Sequence, residues 1–149
     1  AAAKFLAALE IPFELNALSA PRTPAEVEQF AKNAEARGLK VIIAAAGMAA
    51  HLPGVIASMT TLPVIGVPIK ASLEGLEALL AIVQMPPGIP VATVGINASL
   101  NAGILSAQMI ALHDEKVATA LKKYKEGLKK KIVAANEELA KIQFKNKIG

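Results

Sequence analysis

Apolar residues fall along this chain in two kinds of pattern. Residues 40–46, 63–67 and 90–96 are short runs of Val, Ile, Ala and Gly with scarcely a polar position inside them. Runs apolar on both strand faces suit a parallel sheet covered on two sides. Three buried strands are therefore expected there. Residues 13–18 instead alternate, with Phe13, Leu15 and Ala17 set against Glu14 and Asn16, and read as a further strand. The stretches between carry helix signals. Residues 2–9 are rich in Ala and Leu, and Pro12 closes them. Thr23-Pro24-Ala25-Glu26 offers an N-cap, a Pro at the first helical position and an acid at the third. That helix is expected to run to about Arg37, with Gly38 ending it. Residues 47–54 read as a loop or short helix, 53–60 and 73–83 as helices. Pro86-Pro87-Gly88 breaks the chain. Residues 100–112 are hydrophobic almost all round, so burial of that helix is expected. A long Lys-rich amphipathic helix is expected over 115–141, and an irregular end over 142–149.

Strands alternating with helices predict right-handed crossovers and a three-layer α/β/α sandwich around a parallel sheet. No internal repeat or linker divides the chain, so 1–149 reads as one domain. Ligands in such sheets bind beyond the carboxyl ends of the strands. The loops expected at that end are 19–23, 47–54, 68–75 and 97–101.

Composition narrows the chemistry. Hydrophobic residues make up 54% and aromatics 3%, so the core is aliphatic. No run is long enough to span a bilayer, residues 1–9 do not read as a signal peptide, and a cytoplasmic protein is expected. The absence of Cys excludes disulfides and thiolate metal sites, and two separated His give no metal spacing. The net charge is +4, but residues 113–149 hold ten Lys against five acids. That segment has no Arg and one aromatic reader, Tyr124, besides Phe144. It reads as a solvated helix face, so neither nucleic acid nor membrane is expected as a partner.

Few residues suggest chemistry. Arg22 stands just before a helix start, where free N–H groups and the positive dipole end suit a phosphate. Its bland alternative is a surface Arg beside a cap. Ser19 adds a hydroxyl donor or merely ends a strand. His51 suits acid–base work near neutral pH, or else ties down its loop. His113, beside Asp114, reads as structural. Asn97 and Asn101 fit turn positions on their own account. Gln84-Met85-Pro86 reads as packing.

Several segments carry a family resemblance. Ser19-Ala20-Pro21-Arg22-Thr23-Pro24 resembles a Ser-Ala-His-Arg-Thr-Pro motif, and Ala49-Ala50-His51-Leu52-Pro53-Gly54 matches a second. Leu62-Pro63-Val64-Ile65-Gly66-Val67-Pro68, Ile82-Val83-Gln84-Met85-Pro86 and Ile89-Pro90-Val91-Ala92-Thr93-Val94 follow in order. Asn97 and Asn101-Ala102 fall where the last active-site loop lies. By these motifs the chain is identified as a member of the carboxyaminoimidazole ribonucleotide mutase and aminoimidazole ribonucleotide carboxylase family, over nearly its whole length. The resemblance implies a flavodoxin-like fold, a homo-octamer and no metal or organic cofactor. It implies transfer of a carboxylate from an exocyclic nitrogen to a ring carbon of an imidazole ribonucleotide. It places Ser19, Ala20, Arg22, Gly47 and Leu52 at the substrate and its phosphate, and His51 at the site. It also implies that residues 113–149 form a helical extension packing on neighbouring subunits, with the 82–85 segment at interfaces.

Departures from the family pattern qualify that expectation. The family's catalytic His is Pro21, a family Gly is Met48, an Asp-Ser pair is Glu77-Ala78, and a nearby Ser is Ala81. The family's opening strand with its Gly-Ser-x-Ser-Asp loop is not matched, so a gap in the sheet is expected. Two readings follow: a mutase-type isomerase impaired in this chain, or a catalytically silent oligomeric scaffold of the same fold. A plain nucleotide-binding module is disfavoured by the lack of a dinucleotide Gly fingerprint.

Overall fold

A computed structural model describes residues 1–148. The elements in chain order are α1 (Ala2–Ala8), α2 (Pro24–Asn33), β1 (Ile42–Gly47), α3 (His51–Ala57), β2 (Val64–Ile69), a 3-10 turn (Leu73–Gly75), α4 (Leu76–Val83), β3 (Ala92–Thr93), α5 (Ser99–Ile110) and α6 (Glu115–Lys141). The sheet runs β1-β2-β3, and both pairings are parallel. The register sets Ile42 beside Val64, Gly47 beside Ile69 and Ile65 beside Ala92.

Strand residues alternate between two cores, as the strand period of two requires. Ile42, Ala44 and Val64 pack with Val27, Ala31, Ala34 and Ile56 of the α2–α3 side. Ile65 and Val67 pack with Ala102 of α5. Ala78 and Ile82 of α4 join Ala50 in a smaller cluster beside Ala46 and Val91. A further cluster lies outside α5, where Phe5, Leu6 and Ile11 meet Ala107, Val117 and Leu121. The Phe5 and Tyr124 rings meet edge-on there, with centroids 5.0 Å apart. The result is the expected three-layer α/β/α sandwich, with α1 and the start of α6 laid over α5.

Residues 13–18 form no strand. Their alternation is real, but they enter no ladder among the described residues, and Leu15 is 79% exposed. The segment instead runs extended from α1, which packs on α5, to α2 on the opposite side of the sheet. It is pinned by an ion pair between Glu14 and Arg37 at 2.9 Å, with the Arg37 guanidinium 5.1 Å from the Phe30 ring centroid. β1 is accordingly an edge strand among the described residues, where a gap in the sheet was expected.

Other boundaries also move. α2 ends at Asn33 rather than Arg37, and a turn carries the chain to Gly38 at φ +86°. The third strand shrinks from 90–96 to two ladder residues, although the Val94 N–H still reaches the Gly66 carbonyl. Pro90 has no N–H to give a ladder, which shortens the run at its start. The 73–83 helix is broken at Glu74, whose φ is +57°. α5 is buried on one side rather than all round. Ala102, Gly103, Ser106 and Ala107 are inside, while Leu100 and the Leu112 that follows the helix face out. α6 has the expected bounds.

Candidate functional site

The carboxyl ends of β1, β2 and β3 gather four loops, and the chain's few candidate groups sit on them. The first loop is a closed turn. The Thr23 hydroxyl donates to the Ser19 carbonyl at 3.0 Å, and the Ser19 N–H donates back to the Thr23 hydroxyl at 2.9 Å. Thr23 stands at the N-cap of α2, but its side chain makes no capping bond to the helix. The capping box expected from Thr23 and Glu26 is therefore absent, because the hydroxyl is spent on Ser19. Arg22 lies exposed on this turn, and its Nε donates to the Ser19 hydroxyl oxygen at 3.1 Å. Ser19 thus orients the guanidinium at the mouth of a helix whose first N–H groups no side chain occupies. Such a turn can present donors to an anion. Ala20 is half-buried beside it and Pro21 is exposed. Proline carries no ionisable group, so position 21 moves no proton.

The second loop follows β1. Gly47 is in tight quarters: a Cβ there would stand 3.1 Å from the Ile69 carbonyl oxygen and 3.2 Å from Ala71 Cβ. Met48 (φ +56°) and Ala50 (φ +44°) both take left-handed backbone, a conformation costly for residues with a Cβ. His51 opens α3 and is exposed, so its ring is open to a ligand. Leu52 is half-buried and packs against the Val27–Ile42 cluster, as does Leu18 just before Ser19. That shared cluster is what brings the Ser19 and His51 loops to one side of the sheet. Leu52 serves as packing in the subunit.

The third and fourth loops are tied together. Asn97, at φ +58°, accepts the Lys70 N–H on its side-chain oxygen at 3.0 Å and donates its own N–H to the Pro68 carbonyl at 2.8 Å. Asn101 lies in the first turn of α5, exposed. Glu77 accepts from both the Ser72 N–H (3.1 Å) and the Ser72 hydroxyl (2.8 Å). Burial works to raise the Glu77 carboxyl, but the Ser72 hydroxyl and backbone donors outweigh it and hold it below the ordinary carboxylate range. Its other oxygen, Oε2, is buried without a hydrogen-bond partner. Lys70 pairs with Glu74 across the same loop. In the sequence Glu77 stands out only as a departure from a motif. The signal for its latch is a Ser at the mouth of a helix with an acid five residues on.

Elsewhere the chemistry is sparse. His113 sits in the turn between α5 and α6, and Asp114 caps α6 by accepting the Val117 N–H at 3.0 Å. Among the described residues no group of three His, Cys, Asp or Glu could hold a metal. No helix among them is long and apolar enough to cross a membrane. A concavity of about 710 Å³ opens at the opposite end of the sheet, between residues 57–64 and 88–90. Size alone does not make it the site, because its ionisable lining is Lys32 and Glu35. The donors and the imidazole lie at the carboxyl ends.

Comparison with known proteins places the chain in a family. A family model described as AIR carboxylase matches residues 1–131. An N5-carboxyaminoimidazole ribonucleotide mutase of Thermotoga maritima is 50% identical over 145 residues, which cover 97% of this chain and 85% of that protein. A second mutase, of Methanocaldococcus jannaschii, is 54% identical over 132 residues, 89% of this chain and 82% of that one. A phosphoribosylaminoimidazole carboxylase of Schizosaccharomyces pombe is 47% identical over 97% of this chain, which spans 26% of that longer protein. Among solved structures, PurE of Treponema denticola superposes with a TM-score of 0.84 at 28% identity, covering 93% of this chain and 87% of that chain.

Proposed function

This chain belongs to the AIR carboxylase family, with a flavodoxin-like fold, and we propose that its reaction is the mutase-type isomerisation of purine biosynthesis. The substrate is an imidazole ribonucleotide carrying a carboxylate on its exocyclic nitrogen. The nitrogen–carboxylate bond breaks and a carbon–carbon bond forms at the ring. The ring carbon gives up a proton and the nitrogen gains one. No electrons are exchanged, so the reaction needs proton movement and a held substrate, and no cofactor enters the proposal. The observation that carries this reading is the 50% identity to a mutase across 97% of the chain. The gathering of Ser19, Arg22 and His51 at the carboxyl end of the sheet supports it.

Arg22, oriented by Ser19, holds the phosphate with the open N-terminus of α2. Ala20 and Gly47 give backbone close to the ligand, and His51 is the remaining imidazole at the site. Leu52 contributes by fixing the turn on which His51 stands. Pro21 occupies the position of the family's acid–base His and leaves that role empty, so turnover in this chain is impaired. We place the protein in the cytoplasm as a homo-oligomer, most simply an octamer, with the 113–149 extension packing on neighbouring subunits.

Pro21 also favours a second reading, a catalytically silent scaffold of the same fold. An isomerisation assay separates the two. Purified protein is given the nitrogen-carboxylated ribonucleotide, and the carbon-carboxylated product is followed by chromatography. A slow, protein-dependent conversion supports the impaired isomerase. No conversion above the uncatalysed background, in this chain and in Pro21→His alike, removes the reading and leaves the scaffold.

A further inference from the structure

The proposed substrate has two anionic ends, a phosphate and a carboxylate, and Arg22 answers only one of them. The four loops at the carboxyl ends of the strands carry few cations. Arg22 stands in 19–23 and Lys70 in 68–75, while 47–54 and 97–101 hold no Lys or Arg. Arg22 is engaged with Ser19 at the mouth of α2. Of the cations on these loops, that leaves Lys70.

Lys70 follows directly on β2, the middle strand of the sheet. Its neighbour Ile69 pairs with Gly47 in the ladder, and a Cβ on Gly47 would stand 3.2 Å from Ala71 Cβ. Residues 69–71 therefore lie against the turn that leads into His51. The Lys70 backbone is fixed, because its N–H donates to the Asn97 side-chain oxygen at 3.0 Å. Its side chain is 51% exposed, and the ammonium pairs with Glu74, itself 78% exposed. A fixed root, a flexible four-carbon stem and a compact charge suit a group that has to meet a ligand.

The partner that Lys70 holds sits on unfavourable backbone. Leu73 (φ +39°), Glu74 (φ +57°) and Gly75 (φ +86°) are left-handed in succession, a conformation that is costly for residues with a Cβ. Leu73 is 74% exposed, so packing of its side chain does not offset that cost. Strain of this kind collects at ligand sites. An exposed pair such as Lys70–Glu74 adds little net stability, so Lys70 can leave Glu74 for another carboxylate at little cost. We propose that Lys70 is a substrate-binding residue that exchanges Glu74 for the carboxylate of the substrate. It thereby makes the site prefer a carboxylated imidazole ribonucleotide over an uncarboxylated one. A flexible ammonium can stay with the carboxylate before and after its transfer.

This assignment rests on the isomerase reading for the identity of the substrate. The test is equilibrium binding of two nucleotides to the full chain: the carbon-carboxylated ribonucleotide, and aminoimidazole ribonucleotide, which lacks the carboxylate. The native chain should bind the carboxylated one more tightly. Lys70→Gln should weaken that binding by about ten-fold or more, the scale of a charge-assisted hydrogen bond, and leave aminoimidazole ribonucleotide unaffected. Lys70→Arg keeps the charge and should keep most of the preference. Glu74→Gln frees the ammonium and should tighten the carboxylated nucleotide alone, a result that stands by itself if Lys70→Gln does not fold. Lys32→Gln, at the opposite end of the sheet, should change neither. Equal weakening of both nucleotides by Lys70→Gln would put its charge on the phosphate and overturn the assignment. Unchanged binding of both would remove Lys70 from the site, and either result leaves the isomerase reading standing. A native chain that binds neither nucleotide overturns both.

Discussion

Asn97 holds Lys70 by its backbone: the side-chain oxygen of one accepts the N–H of the other at 3.0 Å. With the return bond from the Asn97 N–H to the Pro68 carbonyl, this fastens the end of β2 to the loop after β3. Asn97 also takes a left-handed backbone, φ +58°, which Asn tolerates better than most residues. Asn97→Ala should lose the bond and strain the backbone, at a cost of about 1–3 kcal/mol. Asn97→Gly keeps the backbone free and loses only the bond, so it should cost less. Urea unfolding of both variants measures the difference, and equal losses would show that the backbone conformation contributes nothing.

Met48 tests strain at the candidate site directly. It is 66% exposed at φ +56°, so little packing is lost if its side chain is removed. Left-handed backbone costs a residue with a Cβ about 1–2 kcal/mol, of which glycine's extra freedom in the unfolded chain returns roughly half. Met48→Gly should therefore raise the unfolding free energy by about 0.5–1 kcal/mol. A lower urea midpoint in that variant would mean that the Met48 side chain makes a stabilising contact.

In the sheet centre, Gly66 and Ile82 leave no room between them. A Cβ on Gly66 would stand 2.3 Å from Ile82 Cγ2 and 3.0 Å from Val91 Cγ1. Gly66→Ala should cost about 1–3 kcal/mol through overpacking. Ile82→Ala opens a hole beside the same spot, so the double variant should lose less than the two single losses together. Additive losses would place the conflict elsewhere.

The Glu77 latch gives a pH dependence. The Ser72 donors favour its charged form against the opposing effect of burial, so the folded carboxyl titrates below its unfolded value. The latch therefore adds stability above the ordinary carboxylate range, and that contribution fades as pH falls through the folded pKa. Glu77→Gln removes the titrating group. The difference in melting temperature between the native chain and Glu77→Gln should be largest near neutral pH and shrink toward pH about 3, in the direction that carboxylate linkage predicts. A difference independent of pH would mean that the carboxyl is not ionised in the latch.

How much of this was legible in the sequence depended on whether the signal was local. α6 could be read to its ends because Asp114 caps it and the stripe runs unbroken. The strands at 42–47 and 64–69 were legible as apolar runs. Residues 13–18 mislead because alternation reports exposure on one side, whereas a strand also needs a ladder partner, which no local pattern supplies. The Ser19–Arg22 turn was recognisable as a motif, but the diversion of the Thr23 hydroxyl from the helix to Ser19 was not. A side chain with two possible partners is decided by the path of the loop. Likewise Gly47 reads as an ordinary loop glycine until Ile69 and Ala71 are seen against it.

The last prediction concerns turnover. Carboxylate transfer to a ring carbon requires a proton to leave that carbon, and a positioned acid–base group typically contributes about 10²–10⁴-fold. Pro21 supplies none. His51 is exposed on a different loop, at the start of α3, and a base works only within hydrogen-bond reach of its proton. The chain should therefore convert the ribonucleotide slowly. Pro21→His supplies an imidazole, but its benefit depends on the phosphate being held, because remote contacts fix the reacting atoms in line. The gain in kcat from Pro21→His should consequently stay well under the full acid–base factor. Adding Arg22→Ala should weaken phosphate or nucleotide binding by about 1.5–3 kcal/mol, the scale of a charged hydrogen bond, and erase what the His had gained. Initial rates of the three proteins over a range of substrate concentrations decide it. Robust activity in the native chain would show that position 21 is not where the proton moves, and unchanged affinity in Arg22→Ala would remove the guanidinium from the phosphate.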